Sequence, residues 1–152
     1  LSKIKKDDNG NLWVTSRGNY SDISPKMYVL NPNTDKVIKE INLPISNFDF
    51  VENRMYYIAS AWTTAGMTVD YGIINTDSLE PMSYNFILNN VQSQIVAPYA
   101  ITVNPENGDI FISDAKDYVS PGELFCFTKN GNLKWRVTTG DIPGHFAFLG
   151  NN

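Results

Sequence analysis

The stretch GNLWVTS, residues 10–16, decides the fold because two imperfect copies of it follow along the chain. The copies are NRMYYIAS at residues 53–60 and GDIFISD at residues 108–114. In each copy, turn-forming residues lead into a short run rich in aromatic and β-branched side chains. Such a run is typical of a strand entered from a turn. The repetition therefore predicts equivalent strands in three successive units.

Three further strands are predicted around each copy. Hairpin turns between them have suitable residues, such as Asn107-Gly108 and Asn130-Gly131, which adopt positive φ at little cost. One strand precedes each copy and two follow it, at residues 2–6, 28–31 and 37–41, then 47–51, 72–75 and 82–86, then 99–103, 125–128 and 133–137. Four-stranded meanders that recur about every 40 to 55 residues are typical of β-propeller blades.

The predicted fold is therefore all-β, a partial β-propeller that forms one domain over residues 1–152. Its three four-stranded antiparallel blades pack face to face and span about residues 2–43, 46–88 and 98–138. A closing strand at about residues 145–149 is expected to join the first blade of a closed ring. Since propellers close with about four to eight blades, we expect the chain to be the C-terminal portion of a larger propeller.

Composition agrees with a β-rich chain and excludes some partners. Of 152 residues, 42% are hydrophobic and 18% charged, which suits a folded core rather than disorder. Eighteen Asn, 11 Asp, 10 Gly and 8 Pro supply many turns between short strands. The net charge of -4, without basic clusters, argues against nucleic acid as a partner.

Residues that could carry catalysis are few. Cys126 is the only cysteine, which excludes an intramolecular disulfide and a zinc site built on paired thiolates. His145 is the only histidine, which excludes a histidine-rich metal site. Its position before Phe146 and Phe148 favours a polar residue at the end of the channel over a catalytic base. Asp114 and Asp117 lack the spacing of a calcium loop and are predicted to cap turns. We predict no catalytic residue, metal or cofactor.

Three segments resemble a known family. They are NPENGDIFISDA at 104–115, GELFCF at 122–127 and GDIPGHF at 140–146, and they resemble YncE-like propellers of Bacteroidetes surface-layer-type proteins. That group includes the BtuG-type cobalamin-binding lipoproteins. The resemblance implies a seven-bladed, non-enzymatic propeller exported to the cell surface or outer membrane of a Gram-negative bacterium. The lipoprotein leader of such proteins would lie upstream of Leu1.

A looser similarity points to the alternative, an enzyme. The stretch DNGNLWV at residues 8–14 is similar to gluconolactonase-like and streptogramin-lyase propellers. Their chemistry depends on carboxylates or histidines around a metal in the channel, and a single histidine in three blades offers little for such a site. Binding is therefore the favoured function, with a lactonase or lyase as the alternative.

Blade topology places the longer loops, which join second to third strands, on one face together with the blade-to-blade connections. These loops are rich in aromatic and polar residues suited to ligand contact. We predict ligand contacts there from Arg17, Asn19, Tyr20, Trp62, Thr63, Tyr99, Asp117, Tyr118 and His145. The expected ligand is a corrinoid, a glycan or a protein, including a protein of the outer membrane. The remaining blades of the parent, or a second copy of the chain, are expected to cover the open ends.

Overall fold

The fold is all-β in the computed structural model, which describes residues 3–19, 21–64 and 66–149. The described chain contains twelve strands in three four-stranded antiparallel sheets, with one short 3-10 helix, Val91–Gln94, and no α-helix. Contacts divide the chain into two compact units, residues 1–85 and residues 86–152. The predicted fold class is thus confirmed at the level of three repeated four-stranded sheets.

The first unit contains two of the sheets. Each is a simple meander in which consecutive strands pair. The strands of the first sheet are β1 (Ile4–Lys6), β2 (Leu12–Ser16), β3 (Lys26–Asn31) and β4 (Lys36–Ile41). Those of the second sheet are β5 (Ile45–Val51), β6 (Arg54–Thr63), β7 (Gly66–Asn75) and β8 (Pro81–Ser83).

The core of the first unit lies between these two sheets, which pack face to face as predicted. Trp13 on β2 is fully buried at its centre, and its indole Nε1 donates to the Asp7 carboxylate over 2.8 Å. The other buried members are Met27, Val29, Ile41, Ile45, Phe48, Met55, Tyr57, Ala59 and Ile74. Because both sheets contribute apolar side chains, their packing removes a continuous apolar layer from water. Trp13 occupies a strand predicted from the sequence, and the structure places its side chain in the core between two sheets.

The second unit contains the third sheet. Its strands are β9 (Pro98–Val103), β10 (Ile110–Asp114), β11 (Glu123–Phe127) and β12 (Leu133–Thr138). One face is buried and carries Ile101, Val103, Ile110, Ile112, Phe125 and Phe127. The segments predicted as equivalent second strands therefore fall in β2, β6 and β10, the second strand of each sheet. At the predicted Asn-Gly turn between β11 and β12, Gly131 has φ +84°, as such a turn requires.

The opposite face of the third sheet is partly exposed. Phe111, Trp135 and Val137 lie on it, and Trp135 and Val137 remain 43% and 50% exposed. We call this surface the Trp135 face. The ring of Phe111 packs against Trp135, with centroids 5.9 Å apart, and against Phe148, with centroids 5.8 Å apart. Trp135 lies on a strand predicted from the sequence, and within the described chain its ring packs against Phe111 rather than against a second sheet.

The closing strand predicted at residues 145–149 is not formed in the described chain, and its pairing within a larger ring stays a prediction. The segment forms no strand. A strand requires a neighbour with which to exchange backbone hydrogen bonds. Phe148 instead lies against Phe111 on β10, an interior strand, so the segment covers part of the Trp135 face rather than extending an edge of the sheet.

The fourth strand of the second sheet is shorter than predicted. The sequence predicts it over 82–86, whereas β8 ends at Ser83. The Ser83 hydroxyl accepts from the Asn85 amide and donates to the Asn85 carbonyl, over 3.2 and 2.9 Å. Such local bonding competes with the sheet ladder for backbone groups, which accounts for the early end.

Candidate binding site

Two tyrosines meet at one end of the third sheet. Tyr99 lies near the start of β9, and Tyr118 lies in the loop that joins β10 to β11. Their rings are in edge-to-face contact, with centroids 6.1 Å apart and an angle of 78°. Tyr99 is 42% exposed and Tyr118 is 52% exposed, so each ring is held by the other while half of its surface faces outward. We call this pair the tyrosine clasp.

Hydrogen bonds fix the loop that carries Tyr118. The Asp117 carboxylate accepts from the backbone amides of Val119 and Ser120, over 3.1 and 2.7 Å, and from the Ser120 hydroxyl over 2.8 Å. Tyr118 itself has φ +64°, and its amide donates to the Ala115 carbonyl over 2.8 Å. These bonds fix the backbone of the loop from which the Tyr118 ring projects.

A buried carboxylate joins the loop to the start of β9. Asp114, at the end of β10, is fully buried and accepts from three backbone amides. The donors are Val96, Ala97 and Lys116, at 3.0, 2.7 and 2.9 Å. This arrangement confirms that Asp114 and Asp117 act as caps, as the sequence predicts. Because one carboxylate anchors the segments before β9 and after β10, both tyrosines rest on one framework.

The C-terminal segment reaches the same end of the sheet. Gly144 lies so close to Tyr99 that a Cβ atom at this position would be 2.9 Å from Cε1 of the ring. His145 follows immediately and is exposed. Four of the predicted site residues are thereby placed at this end of the third sheet, namely Tyr99, Asp117, Tyr118 and His145.

Two exposed apolar side chains border the clasp and were not predicted. Val96 precedes β9, and Val119 follows Tyr118. Both are largely exposed, although apolar side chains usually avoid water. Their positions next to predicted loop residues were visible in the sequence. Their exposure was not, because it depends on how the segments around Asp114 and Asp117 fold.

In the first unit, the predicted residues Arg17 and Asn19 lie in the loop between β2 and β3. Both are exposed. The Asn19 side chain is used within the loop: its oxygen accepts from the amides of Ser21 and Ile23, and its nitrogen donates to Asp22 over 2.7 Å. Asn19 therefore shapes this loop as Asp117 shapes the other. Tyr20 lies outside the described residues.

The sequence predicts a long loop between the second and third strands of the second unit, with Trp62 and Thr63 in it, and this prediction is wrong. Strands β6 and β7 continue to Thr63 and Gly66, with Trp62 opposite Met67 and Thr63 opposite Gly66. Only residues 64 and 65 separate the strands, so this part of the chain is a tight hairpin. Neighbouring strands can pair without the rest of the sheet because each satisfies the other's backbone groups. The side chains of Trp62 and Thr63 lie outside the described part of the structure.

Sequence analysis missed a polar cluster where β1 meets β5. Lys3 and Lys5, two residues apart, reach Asn47 and Asp49, which are also two residues apart. The Lys3 Nζ donates to the Asn47 Oδ1 over 2.5 Å, and the Lys5 Nζ lies 2.5 Å from the Asp49 Oδ1. The alternation of polar residues on both strands was the available signal. Their pairing joins segments 44 residues apart, which the sequence did not reveal.

The only cysteine, Cys126, packs in the core of the protein. Cys126 is buried, and the loss of water around it raises the pKa of its thiol.

Among residues 3–19, 21–64 and 66–149, no three His, Cys, Asp or Glu side chains are grouped so that they could hold a metal ion. No helix in the described part of the chain is long and apolar enough to cross a membrane.

The sequence matches no family model and none of the curated proteins with which it was compared. The resemblance to YncE-like propellers thus stays a prediction that depends on the three sequence segments and on the repeated sheets.

The hydrogen bonds to Asp117 predict how the loop that carries Tyr118 responds to pH. Hydrogen bonds lower the pKa of Asp117 to about 2. The Ser120 amide has the largest effect, followed by the Ser120 hydroxyl and the Val119 amide. Ionised Asp117 therefore holds the loop at neutral pH, and this hold is lost only as the pH falls through about 2. The Ser120→Ala variant loses one donor, so we expect the pKa of Asp117 to rise by roughly 0.5 to 1 unit.

Carboxyl-carbon NMR of Asp117 during an acid titration measures this shift. The control is Ser83→Ala, which removes an exposed hydroxyl bonded to Asn85 in the first unit. An unchanged Asp117 titration in Ser120→Ala would show that the hydroxyl does not hold the loop.

Proposed function

We propose that this chain is part of a non-enzymatic, exported binding propeller of the YncE-like type, which binds its ligand at the tyrosine clasp. The observation that carries the proposal is the pair of half-exposed rings, Tyr99 and Tyr118, on a framework fixed by Asp114 and Asp117. Aromatic rings supply a large contact area with few rotatable bonds, so binding to them costs little conformational entropy.

The groups around the clasp favour a glycan as the ligand. A sugar ring offers an apolar C–H face for the rings and hydroxyls for hydrogen bonding. The exposed His145 and the phenol groups can donate or accept such bonds, while ionised Asp117 is an acceptor only. The acidic side chain also disfavours anionic ligands. A corrinoid and a protein surface are the other ligands expected for a binding propeller.

The Trp135 face supports the propeller part of the proposal. Trp135 and Val137 place exposed apolar surface on the outer strand of the third sheet, where a further blade of the same protein would pack. In this proposal the parent displays the ring at the surface of a Gram-negative bacterium, with the tyrosine clasp on the ligand-binding side.

Replacement of Tyr118 tests the proposed site. Tyr118→Asn removes the ring while retaining a residue type that tolerates positive φ. We expect binding to weaken roughly 10- to 30-fold, in the range of a residue that contributes strongly to an interface. The matched control is Tyr84→Asn, because Tyr84 is 61% exposed but lies in the first unit.

The measurement is a glycan array followed by calorimetric titration with the best glycan, in parallel with a cyanocobalamin titration. Circular dichroism establishes that both variants are folded. Binding that is lost equally in Tyr84→Asn, or retained in Tyr118→Asn, would contradict the site. Binding of cyanocobalamin alone would retain the site and replace the glycan by a corrinoid.

A further inference from the structure

Lys3 is held firmly at the edge of the first sheet. Its backbone amide donates to the Thr15 hydroxyl over 2.9 Å, and its carbonyl accepts from the Thr15 amide over 3.0 Å. Thr15 is itself fully buried on β2. The backbone is therefore anchored, and the half-buried Lys3 side chain leaves it in a defined direction toward β5.

The Lys3 amine has neutral partners on β5. Its Nζ donates to the amide oxygen of Asn47, and it lies 5.2 Å from the centroid of the Phe48 ring. By contrast, the amines of Lys5, Lys26, Lys39, Lys116 and Lys134 pair with carboxylates. An amide oxygen and an aromatic face stabilise an ammonium ion less than a carboxylate does.

The charges that face Lys3 are Lys5, two residues further along the chain, and Asp49, on β5. Partial burial disfavours the ammonium form most, the positive charge of Lys5 disfavours it further, and Asp49 favours it. The balance lowers the pKa of Lys3 from 10.5 to about 8. Near pH 8, about half of the Lys3 side chains are therefore neutral amines, against roughly 0.3% for an ordinary lysine.

We propose that the Lys3 amine, held by Asn47 beside Phe48, is a nucleophilic site for covalent modification by small aldehydes. The amine lone pair attacks the carbonyl carbon and forms a C–N bond. The carbonyl oxygen then leaves as water with both protons of the amine, which yields an imine. The reaction needs no oxidant, and a partly exposed amine admits a small carbonyl compound more readily than a large one. This inference is independent of ligand binding at the tyrosine clasp.

The test uses the whole chain with acetaldehyde at pH 7.5, and cyanoborohydride as the hydride donor that traps the imine as a secondary amine. Peptide mass spectrometry follows each lysine over time, and fragment ions separate Lys3 from the α-amine of residue 1. Lys36 and Lys129, both exposed, are the internal controls. We expect Lys3 to be labelled at least about 10-fold faster than either control.

Two variants separate the proposed cause from simple accessibility. Asn47→Asp places a carboxylate at the amine, which favours the ammonium form, so labelling of Lys3 should slow several-fold. Asp49→Asn removes the charge that favours this form, so labelling should be as fast or faster. Lys3 labelled at the rate of Lys36 would overturn the proposal, and so would slower labelling in Asp49→Asn. The second variant keeps the test decisive if the first fails to fold.

Discussion

Replacement of Trp13 by Ala is expected to destabilise the first unit by about 3 to 5 kcal/mol, the range for a large aromatic side chain removed from a core. Trp13 is fully buried between the first two sheets, so its loss leaves a cavity bordered by both. The change also removes the indole donor to the Asp7 carboxylate, which is itself buried. Asp7 keeps the hydrogen bonds from Asn11, but a buried carboxylate that loses one of its donors adds to the cost.

Urea unfolding followed by circular dichroism measures this loss. The matched control is Trp135→Ala, because Trp135 is also on a strand of a four-stranded sheet but is 43% exposed. We expect the control to cost about 1 kcal/mol or less, as is usual for exposed positions. Equal destabilisation by the two substitutions would contradict the assignment of Trp13 to a core between two packed sheets.

The repeats made the three sheets predictable. Strands such as β2 and β10 combine apolar runs with flanking turn residues, and those two local signals were sufficient to place them. The length of the β6–β7 hairpin was not predictable in the same way. Small and polar residues near its tip indicate a loop, whereas pairing between the two strands extends both of them to Thr63 and Gly66.

The candidate site was predictable only in part. Tyr118 was predicted because it lies in a loop on the expected ligand side, and Tyr99 because it joins two predicted blades on that side. The structure brings their rings into contact. The polar cluster at Lys3 was missed, since it depends on a contact with Asn47 that only the packing of two sheets creates. Local patterns identify strands, whereas such contacts follow from the tertiary structure.

The exposed Trp135 face is expected to drive self-association of the 152-residue chain. Val137 is 50% exposed beside Trp135, and contiguous apolar surface of this kind favours association in water. Val137→Glu places a charge that would lose its hydration in any contact through this face, so we expect it to shift the chain toward the monomer. Met82→Glu is the matched control, because Met82 is also 50% exposed but lies on β8 of the second sheet.

We propose that the third sheet is a blade of a larger ring, in which another sheet covers its Trp135 face. Multi-angle light scattering over a range of concentrations tests this proposal most directly. We expect a mass above that of one chain for the native sequence and for Met82→Glu, and a clear shift toward one chain for Val137→Glu. A native chain that stays monomeric and folded at every concentration would show that the Trp135 face is stable in water, and would contradict the claim.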